Sequence, residues 1–235
     1  MKRNIAVVLA GGRGSRMKSD IPKQYMMVNE KPLLYYSLKT FQDSFTDEIV
    51  LVCQEADIKF VSKEIVDKYG FNKVTTITAG GKERWNSVYN GLLAIYQKYG
   101  IADANVFIHD GARPCVDQEI LNRALDNVTR YKACVAAVPV KDTIKVVAED
   151  KTAVSTPDRR TLWQIQTPQV FDYKLVWDAY SALEQCKNAV TVTDDAMVVE
   201  SFTDAKVYMS EGSYLNIKVT TPEDILIAEI FLNKN

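Results

Sequence analysis

The chain has 235 residues, enough for one large α/β domain or two small ones around a buried core. Hydrophobic residues make up 47% and charged residues 25%, the balance of a soluble globular enzyme. With 29 basic and 30 acidic side chains the net charge is -1, which excludes the broad cationic face that a nucleic-acid or anionic-membrane binder needs. No run approaches the ~18 apolar residues of a membrane span. The apolar stretch after Met1-Lys-Arg stops at Gly11-Gly12, too short for the core of a secretory leader. None of Cys53, Cys115, Cys134 and Cys186 forms a C-x-x-C pair, so a reduced, cytoplasmic setting is expected.

Residues 5–9 are apolar at every position, as in a strand covered on both faces. Similar runs recur at 49–53, 74–78, 105–108 and 134–138. Helical patterns separate them: 32–41 opening on a proline, 56–69, 85–99 ending at Gly100, and 118–131. Strands alternating with helices predict a mostly parallel sheet with helices on both faces. The pattern changes after Pro139. Residues 142–148 are β-branched and alternating, followed by a turn at Glu149-Asp150-Lys151. This predicts a β-arm over roughly 139–167; an isolated arm is marginally stable, so it is expected to pack on a second subunit. Helices are expected at 173–185 and 194–202. Thr221-Pro-Glu-Asp224 reads as a capped helix start. With no repeat or linker, the whole of 1–235 reads as one domain carrying the arm.

The segment from Leu9 to Lys23 places glycines directly after the first strand, where backbone N–H groups can approach phosphate oxygens. It is neither a Walker A loop nor a dinucleotide fingerprint, because Met17 stands where each needs a glycine. Arg13, Arg16, Lys18 and Lys23 crowd this one loop, so phosphate binding is expected, the alternative being a glycine-rich turn with solvated cations. Asp110 follows the strand at 105–108, at the sheet edge where α/β proteins bind ligands, and a carboxylate there can hold Mg²⁺, or serve as a helix cap or turn residue. His109, the single histidine, reads as structural or as support behind the residues that meet the ligand. Asp142 and Thr143 offer polar groups for a hydroxylated substrate, or a polar strand edge. Arg159 or Arg160 presents a guanidinium fork suited to phosphate, or a surface basic pair. Thr193-Asp194-Asp195 reads as a helix opening whose acids suit its dipole. Lys218, before the last helix, is a late cation returning to the same sheet edge.

Several motifs stand in one order along the chain. They are Ala10-Gly-Gly-x-Gly14-x-Arg16-Met, Pro22-Lys-Gln, Gly81-x-Glu-Arg84-x-x-Ser87, His109-Asp-Gly-Ala-Arg-Pro, Pro139-Val-Lys-Asp-Thr-Ile-Lys, Gln166-Thr-Pro-Gln, Thr193-Asp-Asp-Ala and Asn216-Ile-Lys-Val-Thr-Thr-Pro-Glu-Asp. Together they resemble the 2-C-methyl-D-erythritol 4-phosphate cytidylyltransferases over essentially the whole chain. The resemblance implies a Rossmann-like nucleotidyltransferase fold with a projecting β-arm, Mg²⁺, and a homodimer whose arms complete each other's sites. It implies cytidylyl transfer from CTP to a phosphorylated polyol in isoprenoid precursor synthesis, with no nucleic-acid or membrane partner. Carried over by position, Ala10, Gly11, Gly12, Gly14, Gly81, Arg84 and Ser87 hold the nucleotide. Arg16 and Lys23 face the triphosphate, with Lys218 beside the reacting phosphate. Asp110 binds the metal, and Asp142, Thr143, Arg159, Thr167 and Thr193 contact the polyol phosphate. One departure is Gly11, where the family usually has alanine. The Ala-Gly-Gly form resembles the sister ribitol-5-phosphate cytidylyltransferases, which stand as the alternative beside a non-catalytic nucleotide-binding protein.

Overall fold

A computed structural model describes residues 2–12, 17, 21–186 and 191–233. The fully apolar runs become strands of one seven-stranded sheet: β1 (Arg3–Leu9), β4 (Glu48–Cys53), β5 (Val74–Ala79), β6 (Ala104–Asp110), β7 (Ala133–Pro139), β10 (Trp163–Asp172) and β11 (Tyr208–Glu211). Their order is β11-β7-β10-β6-β1-β4-β5. Every pairing is parallel except the two made by β10, which runs antiparallel to β6 and β7. Two short ladders lie outside the sheet: β2 (Met27–Val28) with β3 (Lys31–Pro32), and β8 (Val146–Val147) with β9 (Ala153–Ser155).

Strand alternation sorts the core into two layers. Ile5, Val7, Val50 and Val52 face α3 (Arg84–Tyr99), α5 (Tyr173–Gln185) and α6 (Asp195–Phe202). Ala6, Val8, Ile49 and Leu51 face α1 (Leu33–Gln42), the helix at 58–67, here called α2, and α4 (Gln118–Tyr131). The second part of α2, Val61–Asp67, is π-helical. Gly91 lets α3 lie directly on the sheet, since a Cβ there would sit 2.6 Å from Val7 Cγ1. A third, small cluster of Val28, Leu33, Ala112, Val219 and Ala228 seats α7 (Pro222–Leu232) beside the cleft described below. The expected cap of α7 is present: Thr221 and Asp224 form a reciprocal capping box.

The sheet, its flanking helices and the strand-rich arm agree with the sequence reading, with differences at three places. The strand expected across 142–148 is reduced to Val146–Val147, because most of the arm has no second layer to pack on. The arm also returns to the sheet earlier than residue 167: Trp163 already pairs with Pro139. Strands β10 and β11 carry no continuous apolar run and were not expected from the sequence.

Candidate active site

The chain leaves β1 for β4 on one side of the sheet and later returns to β6 on the other, so the strand order reverses between β1 and β6. In open α/β sheets the crevice beyond the carboxyl ends of such a pair is the binding position. Leu9 and Asp110 are register partners at that edge. A cleft of about 890 Å³ opens above them, lined among others by Ala10, Gly11, Gly12, Lys23, Gly81, Arg84, Ser87, Asp110 and Lys218. Residues from four separated stretches of the sequence therefore meet in one cleft.

The glycine side of the cleft is held from beneath by amides. Gln24, almost fully buried, donates through Nε2 to the Ala10 carbonyl at 2.6 Å. Gln54 donates likewise to the Gly11 carbonyl. Ala10 N–H is taken by the Val52 carbonyl at 2.6 Å, which ties the loop to β4. The opposite lip is the turn into α3. There the Ser87 hydroxyl accepts from Gly81 N–H at 3.0 Å and donates to the Glu83 carbonyl at 3.2 Å. Gly81 has no room for a side chain, because a Cβ would lie 2.2 Å from that of Asn86.

The floor is ionic. Asp110 Oδ2 pairs with Lys218 Nζ at 2.6 Å, and Oδ1 with Arg84 Nε at 3.2 Å. Burial alone would raise the Asp110 pKa, but Arg84, Lys218 and Arg113 outweigh it and hold the carboxyl far below its ordinary range. Asp110 is thus an anion at every physiological pH. Lys23 Nζ donates to the Val219 carbonyl at 2.8 Å, so the two lysines meet across the cleft from opposite ends of the chain. The Lys218 side chain is 38% accessible and lines the cleft, so a ligand can reach it.

Mg²⁺ binds through one or two carboxylates and completes its shell with substrate phosphates and water. Asp110 meets the carboxylate part of that requirement as an ionised oxygen donor at the floor of the cleft. Among the described residues no group of three or more His, Cys, Asp or Glu could hold a metal.

Below the floor, His109 is fully buried, and burial pushes its pKa down to about 4. Neutral His109 donates from Nε2 to the Arg113 carbonyl at 3.2 Å, which leaves Nδ1 to accept from the Thr167 hydroxyl at 3.0 Å. The same hydroxyl accepts from Asp110 N–H at 3.1 Å. The histidine is structural, as expected. Thr167, assigned to the substrate from the resemblance, lies buried under the cleft with its hydroxyl engaged on both sides. Asp142, Thr143 and Arg159 are exposed on the arm, outside this cleft, and Arg159 donates to the Lys141 carbonyl at 3.0 Å. Thr193 is exposed ahead of α6. Gly14 and Arg16, with Arg13 and Lys18, fall outside the described residues.

Two features escaped the sequence reading. Gln54 and Glu55 also line the cleft, on the turn after β4, which carries no phosphate-binding signature. The acidic pair opening α6 divides its roles: Asp194 caps the helix by accepting Met197 N–H at 3.0 Å, whereas Asp195 is fully buried and grips Arg84. Helix-opening acids gave no sign of this, because Arg84 lies 111 positions away.

Comparison with known proteins bears on the chemistry. The family model described as 2-C-methyl-D-erythritol 4-phosphate cytidylyltransferase matches residues 4–234. A relative of that name from Lachnospira eligens is 53% identical, covering 97% of this chain and 99% of its own. Another from Lachnoclostridium phytofermentans is 44% identical, covering 100% and 98%. The solved 4-diphosphocytidyl-2C-methyl-D-erythritol synthase of Anaerococcus prevotii superposes with a TM-score of 0.84 at 32% identity, covering 99% of each chain.

Proposed function

Because the chain belongs to the 2-C-methyl-D-erythritol 4-phosphate cytidylyltransferase family, we propose that the cleft between β1 and β6 transfers the cytidylyl group of CTP to 2-C-methyl-D-erythritol 4-phosphate. The products are the CDP-linked polyol and pyrophosphate. The observation that carries the reading is Asp110, ionised and flanked by Lys218 and Arg84, facing the glycine loop across the switch point of the sheet. The ribitol-5-phosphate alternative is not favoured, since the family model and the curated relatives carry the methylerythritol name along nearly the full chain.

The nucleophile is an oxygen of the substrate's phosphate monoester, attacking the α-phosphorus of CTP. With a second pKa near ~6 that phosphate is already largely a dianion at neutral pH, so no general base is required. This suits a site whose one histidine is buried and neutral. The obstacle is bringing two polyanions together, and catalysis comes from positioning and charge neutralisation. Lys23 and Lys218 receive the phosphates, and Gly81, Ser87 and the backbone of residues 10–12 receive the nucleotide. Asp110 would hold Mg²⁺, which when bound offsets charge on the triphosphate. Arg16 and Gly14 keep the roles the resemblance gives them.

The polyol end needs more than one chain. Asp142, Thr143 and Arg159 stand on an arm whose Val146, Val147 and Val154 are about half exposed or more. Such an apolar arm is what a partner subunit would cover. We therefore infer a homodimer in which each arm reaches the other's cleft, with Thr193 contributing at the same end. A cytoplasmic setting accords with four free cysteines. No helix among the described residues is long and apolar enough to cross a membrane.

The deciding experiment follows pyrophosphate release from CTP with methylerythritol phosphate against ribitol phosphate. Turnover with the first and at most a few per cent of it with the second is expected. Equal rates, or a preference for ribitol phosphate, would overturn the substrate assignment.

A further inference from the structure

Arg84 looks at first like one more hand for the triphosphate, but its guanidinium is already fully directed. Nε meets Asp110 Oδ1 at 3.2 Å, while Nη1 and Nη2 meet Asp195 Oδ1 and Oδ2 at 2.7 and 2.8 Å. A bidentate fork fixes the plane of the group as well as its place. Asp195 is wholly buried and also accepts from the Tyr180 hydroxyl at 2.5 Å. The start of α6 that carries it is pinned to β10 by Gln169. That side chain accepts from Ala196 N–H at 2.8 Å and donates to Asp194 Oδ2 at 3.1 Å. Among the described residues Asp110 is ion-paired to two cations of different kinds. Lys218 is a flexible, partly exposed side chain, while Arg84 is clamped from behind by a buried carboxylate.

We propose that Asp195, steadied by Tyr180 and Gln169, is a positioning residue for cytidylyl transfer: it locks Arg84 onto Asp110, so that Asp110 keeps one fixed partner when Lys218 turns to the incoming phosphates. This rests on the reaction proposed above and adds to it a role for the buried acid of α6. The electrostatics agree with such a division. Asp195, Arg84, Asp110 and Lys218 sum to zero charge; when Lys218 turns away the other three carry a net -1, and Arg84, held by Asp195, remains the cation against Asp110. Without Asp195, Arg84 would keep only its Nε contact to Asp110, and its two terminal nitrogens would be free to turn toward the incoming phosphates.

The test is a double-mutant cycle in the full-length enzyme, reading kcat, KM for CTP and melting temperature, with assays kept well below each variant's melting temperature. Asp195→Asn is expected to lower kcat at least tenfold while KM for CTP changes less than threefold. Arg84→Gln should do the same, and the double variant should be no worse than the poorer single within twofold. Multiplying losses, or a destabilised Asp195→Asn with full kcat, would overturn the proposal. Tyr180→Phe removes one hydrogen bond from the clamp and keeps the cycle usable if the asparagine variant does not fold. It should lower kcat about threefold in the native background and not at all beside Arg84→Gln. An equal loss in both backgrounds would refute the coupling. Wild-type turnover in the same assay separates failure of this inference from failure of the assigned reaction.

Discussion

Replacing Gly11 by alanine tests what the chain's one departure from its family's opening motif means. Gly11 sits in the loop after β1, where conformational freedom and a bare backbone are usually taken to be needed. Its surroundings require neither. A Cβ built there meets Gln54 Nε2 at 3.7 Å, Cys53 carbonyl carbon at 3.8 Å and Gln54 N at 4.0 Å, all ordinary contacts, and the backbone is not in the left-handed region. The added methyl would point at β4 and its following turn. Alanine in an unstrained glycine position stabilises by about 0.4–1 kcal/mol, chiefly by restricting the unfolded chain. For a chain of this size that is roughly 1–3 °C in melting temperature. Gly11→Ala should therefore melt slightly higher in calorimetry, with kcat/KM for CTP and methylerythritol phosphate within about twofold of wild type. It should gain no activity toward ribitol phosphate and lose none. A fall of tenfold or more, or a lower melting temperature, would show that the position is chosen for the ligand.

The remaining expectations concern charge. Lys23→Ala and Lys218→Ala should each lower kcat at least tenfold, about 1.4 kcal/mol of barrier; near-normal turnover in either would remove that lysine from the reaction. Asp110→Asn should raise the Mg²⁺ concentration needed for half-maximal rate, and an unchanged metal titration would refute the metal assignment. Burial holds His109 down at about 4, so between there and its unfolded value near ~6.5 the unfolded chain binds a proton that the native state refuses. Stability should thus fall as pH drops through that window, by up to ~3 kcal/mol from this group. His109→Gln should flatten that part of the curve; parallel melting-temperature profiles for the two proteins would refute it.

How much of this could be read beforehand depended on which physics wrote the residue. Strands β1, β4, β6 and β7 are buried on both faces, and that alone makes them continuous apolar runs. Their carboxyl ends then located the glycine loop and Asp110 at one edge. Strand β10 was invisible because its middle, Gln164-Ile-Gln-Thr-Pro-Gln169, is polar and holds a proline, which argues against a central strand. In the fold those polar groups are the joints of the site. Gln166 donates to the Ser213 carbonyl at 2.7 Å, and the Thr167 carbonyl accepts from Asn216 at 2.9 Å, which together anchor the segment leading to Lys218. The Thr167 hydroxyl braces Asp110 and His109, and Gln169 fixes the start of α6 that carries Asp195.

A buried polar group must find a partner, but nothing local says which one, because the partner is chosen by topology. The Gln-Thr-Pro-Gln motif therefore resembled a substrate-facing signature while its side chains face inward. The residues proposed to meet phosphate were legible because cations and glycines announce such a ligand. Those that aim them, Gln24, Gln169, Tyr180 and Asp195, look in sequence like ordinary polar residues of turns, strands and helices. Substitutions at these inward positions should cost activity through geometry rather than lost contact with substrate. For that reason the coupling between Asp195 and Arg84, more than any single loss of rate, distinguishes a site assembled at the sheet edge from one held in place by the strand behind it.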